Sequence, residues 1–217
     1  MSSEWRKEIF KQKSLWQVYR LSRQTIPRGR GNRVVFLTCL SLLAPLSAWI
    51  AWKGPRYFSL NETAEWVLLL ADTGFVFSIG ILGFLIAGFS IFASITKPEL
   101  FIALAQIPYK DGKINRLQFV FFNFLNVFSV YLVLLAASLV VQLFFSQPSP
   151  VTLLGQYIMS KYPVLGFATN GIAFAGFALL FVDAFLRLKS FIWNLYQTVL
   201  VSIATEHEMS ERDRTQE

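Results

Sequence analysis

The stretch WVLLLADTGFVFSIGILGFLIAGFSIFASI, Trp66–Ile95, decides the fold. It runs 30 residues with one formal charge, Asp72. As a helix it would be about 45 Å long, against a hydrocarbon core of about 30 Å. Such a segment crosses a bilayer and must tilt or protrude. Three more apolar runs flank it: Val34–Trp52, Phe119–Phe145 and Val164–Leu186. The expected fold is an all-α membrane protein with four transmembrane helices, spans 34–52, 66–95, 119–145 and 164–186, plus interfacial and cytosolic amphipathic helices. A basic amphipathic region, 1–33, precedes the 34–186 bundle. A helical extension with a charged tail, 187–217, follows it.

Composition agrees. Of 217 residues, 54% are hydrophobic and 15% charged, and Phe occurs 22 times. A soluble domain carries about 25% charged residues. The first run is expected to be retained rather than cleaved. Thirty-three residues precede it, and it ends in Trp49-Ile50-Ala51-Trp52, an interfacial aromatic belt and not a small-residue cleavage site.

Lys and Arg set the orientation. With both termini cytoplasmic, 17 of the 20 basic residues fall on the inner side and three on the outer. The net charge of +7 is then spent beside an anionic leaflet, not on nucleic acid. The expected location is the inner (plasma) membrane.

The flanking segments carry their own patterns. Trp5 and Trp16 share one face of an expected helix over 4–26, with Arg6, Lys7, Lys11 and Lys13 around it. A basic helix with Trp on its apolar side lies on a membrane surface or docks a partner. Thr96 and Glu99 fit a capping box opening a short helix through Leu100 to Ala105. Tyr109-Lys110-Asp111-Gly112 reads as a turn. The apolar stretch 151–159, bracketed by Pro148, Pro150 and Pro163, is too short to span. Past Leu186 the fourth helix is expected to continue, with Phe191, Leu195, Val199 and Ile203 at four-residue spacing as a docking or interfacial face.

Two stripes of small residues run along the spans. Gly80, Gly83, Ala87, Ser90 and Ser94 share a face of the second; Ala168, Gly171, Ala175 and Ala178 share one of the fourth. Lipid gives helices no hydrophobic reason to associate, so close packing of small residues supplies much of the attraction. Each stripe serves either the bundle or a second protomer, and a homo-oligomer is expected.

Polar groups within spans are functional candidates by default. Asp183 has Arg187 one turn on, so an i, i+4 pair is expected. Asp72 has no basic neighbour in sequence, and with Asn170 and Gln142 it is expected to form a polar layer near the outer end. Asn123 and Asn126 form a matching inner layer near Asp183. The apolar gap between Gly80 and Leu85 argues against a continuous aqueous path through one copy.

No enzymatic site is expected. The one histidine, His207, lies in the polar tail, and Cys39 is the one cysteine. Neither a nucleophile–base pair nor a Cys/His metal site can be assembled, and no glycine loop for phosphate is present. No cofactor is expected.

The run Gly83-Phe84-Leu85-Ile86-Ala87-Gly88-Phe89-Ser90-Ile91-Phe92-Ala93, followed by Pro98-Glu99-Leu100-Phe101, resembles the small four-span membrane subunits of Kiwa-type bacterial anti-phage defence systems. The resemblance covers the second span and the segment after it, with size and topology. It implies an inner-membrane sensor that oligomerises and works with a cytosolic DNA-binding effector. The sequence thus leads to a membrane sensor or scaffold that docks a soluble partner. The alternative is an oligomeric ion channel or permeabilising effector, for which Asp72, Asn123, Asn126, Asn170 and the glycine stripes speak.

Overall fold

A computed structural model describes residues 29–95, 98–109, 114–145 and 150–214. Trp5, Arg6, Lys7, Lys11, Lys13 and Trp16 lie outside the described residues, as do Thr96 of the expected capping box and 110–113 of the expected turn. Six helices are described: α1 Arg30–Tyr57, α2 Leu60–Ile95, α3 Pro98–Gln106, α4 Arg116–Phe145, α5 Pro150–Lys161 and α6 Pro163–Arg214. Between α3 and α4, β1 (Pro108–Tyr109) and β2 (Ile114–Asn115) pair antiparallel, Pro108 with Asn115 and Tyr109 with Ile114.

The chain is an all-α membrane protein. Helices α1, α2, α4 and α6 each contain a stretch long and apolar enough to cross a bilayer. At most 28% of any of these stretches is buried by the protein itself. Trp52, Val76, Phe84 and Leu143 turn outward with more than two thirds of their surface bare. In water that surface would force aggregation. In lipid it is the solvated face.

Each helix outruns its apolar core. Backbone hydrogen bonds close i to i−4 whatever the surroundings, so a helix ends at a cap rather than at the interface. Helix α2 starts at such a cap. The Ser59 backbone N–H donates to Glu62 Oε2 at 2.7 Å, and the Glu62 N–H donates to Ser59 Oγ at 3.2 Å. This reciprocal capping box satisfies two otherwise orphaned donors. Ser59→Ala is expected to cost about 0.5–2 kcal/mol, read as a lower thermal midpoint in detergent, and Ser59→Asp to retain most of the stability. Equal loss in both variants would show that the hydroxyl is not acting as a cap. Asn115 and Gln118 form a second box at α4: each backbone N–H donates to the other's side-chain oxygen, at 3.2 and 2.8 Å.

The chain divides into two compact units. One comprises Arg28–Gly83 and Val130–Leu186. Here α6 is the common neighbour. A methyl group on Gly171 would lie 3.0 Å from the Ser47 carbonyl oxygen of α1, and one on Gly54 would lie 2.9 Å from the Phe167 ring. Phe77 of α2 stacks on Phe181 at 6.1 Å and meets Phe185 at 4.9 Å. The Tyr131 hydroxyl of α4 donates to the Ala184 carbonyl at 3.3 Å. Aromatics gather where α1 turns into α2: Trp49 stacks on Tyr57 at 5.9 Å, and Phe58 meets Trp66 edge-on at 4.9 Å. Such rings favour the lipid–water boundary.

Among the described residues, the other unit comprises 84–95, 98–109, 114–129 and 187–214. Leu104, Ala105 and Leu117 form its small core, with Phe101 and Phe121 packed on it. Phe89 stacks on Phe124 at 4.7 Å, Phe124 lies 6.2 Å from Phe191, and Tyr109 stacks on Phe119 at 4.1 Å. The segment after the second span is therefore packed structure held by ring contacts.

Candidate functional site

The expected layer of Asp72, Asn170 and Gln142 does not form as a trio. Gln142 Nε2 donates to Asp72 Oδ1 at 3.0 Å. Asn170 joins the other side of α2 instead, its Nδ2 donating to Thr63 Oγ1 at 2.8 Å and to the Leu60 carbonyl at 3.3 Å. The reason is helical geometry. Thr63 and Asp72 are nine residues apart, about 900° of rotation, so they lie on opposite faces. Asp72 is exposed and Gln142 half-buried, whereas Asn170 is buried. Asn170 Oδ1 is enclosed without a hydrogen-bond partner.

At the other end of the apolar length, the Arg187 guanidinium donates to Asn126 Oδ1 at 2.6 Å. Asn123, one turn before Asn126 on α4, is buried. Asp183 is half-buried on α6. Asn126, expected in an inner polar layer with Asn123 near Asp183, has the Arg187 guanidinium as its hydrogen-bond partner.

Two buried hydroxyls were missed. Ser78 on α2 and Ser138 on α4 are fully enclosed, and neither Oγ has a hydrogen-bond partner. A methyl group on Gly74 would sit 2.7 Å from Ser138 Oγ. A glycine is needed at this α2–α4 approach. A lone Ser in an apolar run gives no signal of depth, because serine back-bonds to its own helix as readily as it packs across.

The small-residue stripes separate clearly. Gly171 and Ala175 are buried, and Gly171 sits against the α1 backbone. Gly80, Gly83, Ala87 and Ser90 are exposed, and a methyl group on Gly80 or Gly83 would meet nothing within 4 Å. The first stripe serves the protein's own packing. The second is open.

Helix α6 runs 52 residues without a break. That is about 78 Å, far beyond the roughly 40–45 Å of a whole bilayer with its headgroups. Its outer face after Phe191 is apolar: Ile192, Trp193, Leu195, Tyr196 and Val199 are exposed. Phe191 itself is turned inward against Phe124, so the expected four-residue row splits between packing and exposure.

Fold and polar sites together define a multi-pass α-helical membrane protein. Among the described residues, no group of three His, Cys, Asp or Glu side chains could hold a metal ion. Comparison with protein-family models, with curated proteins and with solved structures found no match.

Proposed function

We propose that the protein is a membrane-embedded sensor or scaffold that self-associates and docks a soluble partner. The observation that carries this reading is the length of α6. A helix of about 78 Å cannot be used up by a bilayer, so tens of ångströms of it are available to something outside. The exposed Leu195 and Val199 offer that segment an apolar face. The packed α3 and strand pair supply ordered surface in the same unit. The basic bias of 17 residues to three supports a cytoplasmic placement of both termini and, with them, of this surface. The resemblance of Gly83–Ala93 and Pro98–Phe101 to anti-phage membrane subunits makes a DNA-binding effector the partner of choice. The chain itself does not contact nucleic acid in this scheme.

The test is affinity purification of the full chain from native membranes, beside a Leu195→Ser/Val199→Ser variant. A soluble partner is expected with the parent chain and roughly tenfold less with the variant, since removing two aliphatic side chains from a contact forfeits at least about 1.4 kcal/mol of apolar burial. A parallel liposome assay reads ion flux for the parent chain and Asp72→Asn. Robust flux that depends on Asp72, with no partner recovered, would replace this reading with an oligomeric channel.

A further inference from the structure

We infer that the outward face of α2 is where two copies of this chain meet inside the bilayer, the Asp72–Gln142 pair of one copy against that of the other. The inference deepens the proposed function by naming its self-association surface. It rests on the self-association in that reading and not on the soluble partner.

Four observations converge. First, Asp72, Val76, Gly80 and Gly83 fall within about 80° of one another around α2. All four are exposed, while Val67, Ala71, Ser78 and Leu82 form the buried side. Second, Gly80 and Gly83 meet no atom of their own chain, although Gly74 on the same helix does. The bare backbone would admit a neighbouring helix closely, which is how small residues drive association in lipid. The competing stripe at Gly171 is already occupied by α1.

Third, Asp72 lies six residues past Trp66, about 9 Å further along the helix, within the apolar length Leu60–Ser94 and on its exposed side. A carboxylate within a span is costly, and such acids face protein or water rather than lipid. Fourth, the pair is self-complementary. Gln142 spends one amide N–H on Asp72 Oδ1. That leaves the second N–H and the amide carbonyl of Gln142, and the second oxygen of Asp72, to be satisfied. Acyl chains offer neither donor nor acceptor. A second copy offers both, and it inserts with the same orientation, so its pair arrives at the same depth. A twofold axis along the membrane normal sets donor against acceptor on both sides, as an isologous contact requires.

The experiment uses the full chain in native membranes, with Cys39→Ser and a single new cysteine. Val76→Cys and Gly80→Cys lie on the inferred face. Val133→Cys is the control: it is exposed on α4, but nine residues and half a rotation from Gln142. On oxidation, covalent dimer is expected at Val76→Cys and Gly80→Cys and not at Val133→Cys. Adding Gly83→Leu should cut the Val76→Cys dimer by roughly tenfold. Maleimide labelling confirms that each thiol is reactive. Reactive thiols at 76 and 80 that form no dimer would overturn the inference, as would equal dimer at 133 or dimer undiminished by Gly83→Leu. Recovery of a soluble partner is scored separately. Lost cross-linking with retained partner sinks the face alone, and the converse sinks the docking reading alone.

Discussion

Gly171→Leu should lower the thermal midpoint in detergent by on the order of 3–10 °C, while Gly83→Leu should move the monomer by no more than about 2 °C. Both exchange a span glycine for the same side chain, so lipophilicity and helix propensity change alike. The difference lies in what each would touch. At Gly171 the first added carbon already stands 3.0 Å from the Ser47 carbonyl, a backbone atom that cannot rotate away, and 3.6 Å from Ile50. The remaining three carbons of leucine would force α1 and α6 apart. Overpacking of this kind costs about 1–3 kcal/mol. At Gly83 the new side chain would project from an exposed face with nothing of its own chain within 4 Å. The check is unfolding followed by tryptophan fluorescence, with monomer isolated by gel filtration. Equal shifts in the two variants would mean that α1 does not rest on α6 at this point.

That pair of glycines also marks how far the sequence could be read. The four spans, the continuation of the last helix past Leu186 and the packed segment after the second span follow from apolar length, periodicity and turn residues. Those signals are local. Which stripe would be buried was not legible, because Gly80/Gly83 and Gly171/Ala175 have the same spacing and the same chemistry. Only the path of α1 distinguishes them, and that path depends on Gly54 and Gly171 accepting Phe167 and Ser47 across more than a hundred residues of chain. The polar layer failed for a similar reason. Depth along a helix can be counted from the sequence, and Asp72, Gln142 and Asn170 lie at comparable depth. Azimuth relative to two different neighbours cannot be counted, and Asn170 pairs with Thr63 rather than with Asp72. The Ser59–Glu62 capping box was readable from its S-x-x-E spacing. It lay outside the apolar run that opens at Trp66, and hydropathy alone stops α2 six residues short of its start at Leu60.

Arg187→Met should destabilise the protein by about 1.5–3 kcal/mol and weaken recovery of a soluble partner. The guanidinium donates to Asn126 Oδ1 at 2.6 Å, a charge-assisted bond between half-buried residues. Methionine keeps the apolar stem of the side chain, ends two bonds short of the guanidinium Nη atoms and leaves the Asn126 carbonyl short of a donor. Lysine is expected to restore only part of the loss, because a point charge on a flexible stem does not reproduce the fixed fork of the guanidinium. Asn126→Leu alone should cost less than Arg187→Met, since it strands a cation that retains other contacts. The double variant should then show a coupling of roughly 1–2 kcal/mol. The functional consequence follows from position. Arg187 ties α6 to α4 two turns before Leu195. Without that bond the Phe191–Phe124 ring contact is left to orient this stretch of α6, and any rotation of the helix would re-aim the exposed side chains from Ile192 to Val199 together. On the proposed docking reading, partner recovery should therefore fall in Arg187→Met even though Leu195 and Val199 are unaltered, and recover with the same partial rank order in Arg187→Lys. Stability that drops while partner recovery stays at the parent level would show that the bond holds the fold without aiming the α6 face.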